Sequence, residues 1–249
     1  MQNQQMADLP PDRLKEEAPF TFSGCDVFGT YYIKERRSTM KRYCVVFTCM
    51  SSRAVRLEPL NRPTLTKDSF INALRRFICR RGVIKQLRCD CGTNFVGASD
   101  ELERELKTMN QQRISEFLLS KNCDYFEFKF TIPHASHMSG YVERQIRTIK
   151  SALDPLLNNF GHMLCDESFR TFLCQVECIV NSRPLDVSSI NDPSAPEPLT
   201  PNHILTLKSK IVLPPPGVFQ KDDFYLRRRW RRVQYMANEF WNRWRKEYV

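Results

Sequence analysis

What this 249-residue chain lacks narrows it first. No apolar run approaches the ~20 residues that a membrane-spanning helix requires. The opening residues, MQNQQMADLPPDRL, lack the apolar stretch of a signal peptide, and nothing points to secretion. The ten cysteines (25, 44, 49, 79, 89, 91, 123, 165, 174 and 178) include no CxxC pair. Several lie in apolar patterns, YCVVFTC and FLCQVECIV, where a free thiol behaves as a small hydrophobe. All ten are expected to be reduced, as in the cytosol or nucleus. No internal repeat is visible.

What is present is globular and basic. The hydrophobic fraction is 41% and the charged fraction 27%, enough apolar surface to bury a core. Thirty-eight basic and 28 acidic residues leave a formal charge of +10. Such an excess suits a polyanionic partner, nucleic acid above all; the alternative is a merely solubilising surface.

Along the chain, residues 1–18 are polar and read as a linker. Phe20–Ile33, Arg42–Cys49 and Ala54–Pro59 are runs rich in β-branched and aromatic residues with turn-sized breaks, which predicts an antiparallel meander. Thr66 is a plausible N-cap for a helix whose apolar positions (Phe70, Ala73, Leu74, Phe77, Ile78) recur at helical spacing until Gly82. Val83–Cys89 reads as a strand leading into Asp90, Gly97–Leu119 as one or two helices, and Tyr125–Ile132 as a strand. Gly140–Leu157 carries one apolar stripe, Val142, Ile146, Ile149, Leu153 and Leu156. Glu167–Asn181 reads as a further helix and residues 184–216 as a Pro-rich surface wrap. A final helix covers about Phe224–Tyr248. This order is mixed α/β and fits a ribonuclease-H-like architecture.

Three acids stand out by position. Asp26 lies inside the first strand pattern, FSGCDVFGT; Asp90 lies where a strand enters the glycine turn CGTNF; Glu143 lies in the first turn of the helix after PHASHMSG. A carboxylate inside a strand is costly unless it is paired or holds a cation. Strand-end and helix-start positions can converge at one sheet edge, and three hard oxygen donors are what Mg2+ or Mn2+ prefers. Two such ions about 4 Å apart can activate the attacking oxygen and stabilise the leaving one at a phosphodiester. The alternative is three ordinary acids among 28. Arg147 and Lys150 follow Glu143 by four and seven residues and so share its face; they read either as phosphate contacts or as a solvated basic stripe. His134 and His137 form an HxxH spacing without nearby Cys partners, a weak zinc signal beside loop-to-DNA contact. The last 29 residues hold nine basic and four acidic side chains. Trp230, Val233, Ala237, Trp241, Trp244 and Tyr248 repeat there at three- and four-residue steps, behind the Arg227–Arg232 cluster. The aromatic stripe suits protein packing and the arginines suit phosphate.

RCDCGTNFVGA resembles the second-aspartate motif of integrases, ASHMSGYVERQIRTIK the segment around their glutamate, and FSGCDVFG their first-aspartate strand. With CVVFTCMSSRAVRLE, SFINALRRFICRRG, VNSRPL, EPLTPNHIL and RRRWRRVQYMANEFW, the chain resembles, from about Met6 onward, the integrase of Pao/BEL-type long-terminal-repeat retrotransposons.

The resemblance implies a five-stranded ribonuclease-H-like catalytic core over 19–183. A Pro-rich extension over 184–221 and a basic amphipathic helix over 222–249 would follow. It implies that Asp26 and Asp90 share one Mg2+ or Mn2+ ion and that Asp26 and Glu143 share a second. The activity implied is metal-dependent trimming of the element's DNA 3′ ends and their transfer to target DNA by a homo-oligomer that is nuclear, and cytoplasmic before integration. No membrane and no small-molecule substrate are involved. Ser139, Arg144, Arg147, Lys150, Arg227, Arg228 and Arg229 are the DNA contacts it implies. Asp26 and Asp90 lie 64 residues apart, and Asp90 and Glu143 lie 53 apart. The second interval is longer than in retroviral integrases and implies an insertion. Cys91 stands where the family has Asn, Ser139 where related elements have Gly, and Tyr141–Val142 where they have Val–Trp. A zinc-binding domain would precede this core and a small basic β-domain would follow it. The chain therefore reads as a core fragment, or as a core kept by a host genome as a non-catalytic DNA- or protein-binding module. An RNA–DNA-hybrid nuclease shares the fold and metals, but the DCGTNF and SxGxxE patterns argue against it.

Overall fold

A computed structural model describes residues 14–60, 67–90, 127–131, 140–186, 197–208, 219–225 and 229–248. The meander is β1 (Phe22–Glu35), β2 (Ser38–Cys49) and β3 (Val55–Leu60). Helix α1 (Lys67–Arg81) follows, with Gly82 next in the chain, then β4 (Gln86–Asp90) and β5 (Glu127–Thr131). Helices α2 (Gly140–Phe160) and α3 (Asp166–Asn181) flank a short 3-10 turn, Gly161–Met163. Three more helices follow: α4 (Pro201–Thr206), α5 (Lys221–Tyr225) and α6 (Arg229–Tyr248). The chain is mixed α/β. Its described strands form one sheet in the order β3-β2-β1-β4-β5. The β1–β2 and β2–β3 pairs are antiparallel, and the β1–β4 and β4–β5 pairs parallel.

The two faces of the sheet bury different partners. Alternation along β1 sends Cys25 and Val27 toward a core shared with Phe70, Leu74 and Phe77 of α1, where Phe47 and Phe77 stack at 4.2 Å. The other face sends Phe28, Tyr31 and Ile33 against α2, α3 and α6. A bulge lies between Phe28 and Tyr31. It lets both rings face the same core, in an edge-to-face pair 6.2 Å apart. Gly29 makes the bulge possible: it holds φ +94°, and a Cβ there would lie 2.8 Å from the Tyr31 ring.

β3 is an edge strand, and α3 closes it with side chains. Asn181 accepts from the Val55 N–H at 2.7 Å and donates to the Val55 carbonyl at 2.8 Å. One turn earlier on the helix, Glu177 accepts from the Leu57 N–H at 3.1 Å. A helix pair four residues apart thus meets a strand pair two apart, and the backbone groups an edge would leave open are satisfied.

Three expectations need correction. The 184–216 stretch contains α4, because Thr200 caps it: its hydroxyl accepts from the His203 N–H and the His203 ring accepts from the Thr200 N–H. The final helix is two, α5 and α6, linked by Arg231 and Asp223 at 2.7 Å. Cys25 is disulfide-bonded rather than reduced, while Cys44, Cys49, Cys79, Cys165, Cys174 and Cys178 are free. The parallel register sets the backbone of Cys89 directly opposite Cys25, a juxtaposition that their separation of 64 positions conceals in the sequence. The expected helices of Gly97–Leu119 lie outside the described residues.

Candidate active site

The register of two parallel strands brings the first two acids together. β1 and β4 pair Phe22 with Gln86, Ser23 with Leu87, Gly24 with Arg88 and Cys25 with Cys89. The next residue on β1 is Asp26, and the next on β4 is Asp90, its last. Asp26 is half-buried. It alternates with Phe22 and Phe28, so it lies on the sheet face that α2 covers. The Asp90 side chain lies outside the described residues, as do Ser139, His134, His137, Cys91, Arg227 and Arg228.

Helix α2 brings the third acid alongside. At its start, Gln145 donates to the carbonyl of Arg53 at 2.8 Å, in the turn beyond Cys49, whose partner on β1 is Ser23. At its end, a Cβ on Gly161 would lie 2.9 Å from the Tyr32 carbonyl, and the Lys34 N–H donates to the Leu164 carbonyl at 2.8 Å. The helix therefore runs along β1 in the same direction. Between these ties, the Tyr31 hydroxyl donates to the Asp154 carboxylate. From Tyr31 back to Asp26 is five strand residues, about 16 Å at ~3.3 Å each. From Asp154 back to Glu143 is eleven helical residues, about 16 Å at 1.5 Å each. The spans are alike, so the first turn of α2, which holds Glu143, lies toward the Asp26 end of β1. Glu143 also precedes buried Ile146 by three, which turns it toward the sheet.

These acids are hard oxygen donors on two adjacent strands and a helix start. The set fits Mg2+ or Mn2+ by chemistry. Among the described residues, which leave out the Asp90 side chain, no group of three or more His, Cys, Asp or Glu could hold a metal ion. Burial and the Asp154 carboxylate push the Tyr31 hydroxyl well above its usual range, so it stays a donor and holds the helix in register.

The basic residues divide. Arg144 and Arg147 are exposed and Lys150 is half-buried, on the flank of the buried Ile146–Ile149 stripe. Arg229 is exposed. Arg231 is taken by Asp223, and Arg232 donates to the Met163 carbonyl at 2.7 Å. In α6 the apolar stripe packs on the chain's own core through Val233, Met236, Phe240 and Trp244, while Trp230 stays 56% exposed. Sequence reasoning missed the residues that set the level of α2: Tyr31, Asp154, Gln145 and Arg53. Only the alternation-breaking pair Gly29–Thr30 could have drawn attention to Tyr31.

No protein-family model and no curated protein matches the sequence. Structures similar to it include a chain of the simian T-cell lymphotropic virus intasome in complex with PP2A regulatory subunit B56 gamma, at 17% identity and a TM-score of 0.48, covering 88% of this chain. The aligned region spans 65% of the length of that chain. The HTLV-2 integrase catalytic core domain in complex with magnesium is similar in its dimeric form, at 18% identity and a TM-score of 0.44 over 77% of this chain and 99% of that one. In its trimeric form the identity is 17% and the TM-score 0.41, over 69% and 92%. Likenesses of this degree carry no argument about activity or partners.

Proposed function

We propose that this chain is a ribonuclease-H-like polynucleotidyl transferase core of the integrase type, resembling those of Pao/BEL retrotransposons, that acts on DNA ends and target DNA. The observation that supports this is the parallel β1–β4 register, which ends at Cys25–Cys89 one residue short of Asp26 and Asp90, with Glu143 in the first turn of α2. Asp26, Asp90 and Glu143 would hold two Mg2+ or Mn2+ ions. Ions held there supply charge neutralisation at a phosphodiester and lower the pKa of the attacking oxygen. The chain's own part is to fix the three carboxylates on rigid elements and to hold the DNA. Arg147 and Lys150, with Arg144, Ser139 and Arg227–Arg229, would contact phosphates, which positions a strand without reading its sequence. Action in the nucleus as a homo-oligomer belongs to this proposal, as do the core over 19–183, the extension over 184–221 and the basic helix over 222–249.

The test is metal-dependent cutting or joining of a labelled oligonucleotide, including disintegration of a branched substrate. Wild-type protein should act with Mn2+ or Mg2+, and Glu143→Gln should not. A thermal melt separates metal binding from catalysis. Metal should raise the wild-type midpoint, since it binds the folded state, and should raise that of Asp90→Asn less. Metal that shifts neither midpoint, with no product formed, would leave a non-catalytic DNA- or protein-binding module on the same fold.

A further inference from the structure

The β1–β2 hairpin carries a charged surface that the candidate site does not use. Two-residue turns between antiparallel strands favour Asn, Asp or Gly, because they require positive φ. Here the turn is Arg36–Arg37, and Arg36 holds φ 53°. A bulky side chain is disfavoured in that region, so turn geometry does not explain the choice.

Charge pairing within the chain does not explain it either. Arg42, Arg56, Arg76, Arg80 and Arg81 each meet a carboxylate. Lys34, Arg36, Arg37 and Lys41 make no ion pair with a described residue, and all four are exposed.

Alternation sorts the rest of the hairpin. Tyr31 and Ile33 face the core, so Tyr32 and Lys34 face outward. Tyr32 pairs with Lys41 across the strands, and Lys34 with Thr39. Tyr32 is 52% exposed, on the face it shares with Lys34 and Lys41. Glu35, the acid beside the turn, falls on the opposite face by the same alternation.

We infer that this outward face is a polynucleotide-binding surface: Lys34, Arg36, Arg37 and Lys41 take backbone phosphates, and Tyr32 stacks on an unpaired base. Cations around an exposed ring are what single-stranded nucleic acid uses. An acidic protein surface would use the cations and leave the ring idle. The inference rests on the proposed function only for the choice of DNA as the polynucleotide. Asp26 lies about 20 Å back along β1 at ~3.3 Å per residue, so the hairpin holds DNA away from the reacting phosphate and acts on binding rather than on chemistry.

The test is fluorescence anisotropy of the full chain with a labelled 20-nucleotide single strand and its duplex, titrated with salt in the absence of divalent metal. Each lost phosphate contact should flatten the single-strand salt slope by about 0.7. Replacing Arg36→Asn and Arg37→Gly together should therefore flatten it by about 1.4. This variant suits the turn better than the wild type, so a raised melting midpoint certifies that it is folded. Tyr32→Ala should weaken the single strand about tenfold and the duplex less, with Tyr32→Phe restoring it, as a stacking contact requires. Wild-type affinity and slope in the turn variant would overturn the inference and assign the hairpin to a protein partner. The two proposals fail separately. A chain that binds through the hairpin but cuts nothing sinks the catalytic reading alone. A chain that cuts DNA with wild-type KM in the hairpin variants sinks the hairpin alone.

Discussion

The sheet carries two sets of acids, and they are treated in opposite ways. At the β3 edge, Glu58 and Glu177 are buried, and the chain supplies their cations. Arg56 spans both at 2.7 and 3.1 Å, Arg76 and Arg80 of α1 reach Glu58 at 2.8 and 2.7 Å, and Arg81 reaches Glu177 at 3.1 Å. This network wraps the edge strand and ties α1 on one face to α3 on the other. In the middle of the sheet, the β1–β4 register runs to Cys25 and Cys89, and the next backbone positions are Asp26 and Asp90, two acids on neighbouring strands. Acids that stabilise a fold are surrounded by guanidinium groups; acids set side by side raise each other's cost and suit a divalent ion. The first arrangement should fail in folding when broken, and the second should fail in chemistry.

The largest effect expected on the chemical side is the loss of metal-dependent DNA cutting or joining in Glu143→Gln, by more than about a hundredfold, since each ion contributes several kcal/mol of charge stabilisation. Its circular dichroism should match the wild type, and its metal-free melt should show no loss of stability. Loss of structure in that variant would erase the contrast between the two sets.

On the structural side, Glu58→Gln should cost about 2–3 kcal/mol, somewhat below the usual penalty for breaking a buried ion pair because Arg80 is partly exposed. Urea unfolding reads this directly. Asn181→Ala should cost about 2 kcal/mol, because it leaves both the N–H and the carbonyl of Val55 without their buried partner. A near-neutral Asn181→Ala would mean that the β3 edge is closed by something other than α3.

Acid should also separate the two sets. Burial pushes the Glu58 carboxyl up, but hydrogen bonds from Arg76 and Arg56 outweigh it, and the net direction is down. A carboxylate held below its unfolded value, about 4.3 for Glu, contributes stability that is full above that value. The contribution is lost as pH falls through the lower, folded one. Asp166 behaves alike: burial raises it, and Arg170 and Arg42 lower it further. Wild-type stability should thus fall below about pH 4.3, and Glu58→Gln should flatten that fall. An unchanged acid limb in the variant would remove Glu58 from the account.

How much of this was legible beforehand differs along the chain. The α2 stripe, and the elements on which the three acids lie, could be read because helical period and strand context are local; the helix expected over Gly140–Leu157 runs Gly140–Phe160. The level at which α2 sits against β1 could not be read. It depends on Tyr31 meeting Asp154 across 123 residues and on a glycine bulge that shifts the strand's alternation. Nor could the disulfide at Cys25, since a disulfide leaves no sequence period. The purpose of Asn181 was hidden in a motif, VNSRPL, whose asparagine serves the backbone of another element. The separate elements α5 and α6 were missed because Asp223 and Arg231, eight residues apart, look like ordinary surface charges until the fold brings them together.

The smallest effect expected is the most telling, because its sign alone decides. In the absence of metal, Glu143→Gln should gain slightly in stability, by a few tenths of a kcal/mol, as should Asp26→Asn. Neighbouring carboxylates repel when no cation lies between them, and an amide of the same shape removes that repulsion. Glu58→Gln moves the other way, because its carboxylate already has its cations. Mn2+ should then reverse the order at the candidate site: it raises the wild-type midpoint through binding to the folded state and does less for the amide variants, so the wild type overtakes them. Parallel melts of the wild type, Glu143→Gln and Glu58→Gln, each with and without Mn2+, measure this in one series. If Glu143→Gln instead loses stability without metal, as Glu58→Gln does, then what Glu143 gains from the rest of the chain outweighs repulsion among the acids, and the acids of β1, β4 and α2 are a second structural network rather than a place for ions.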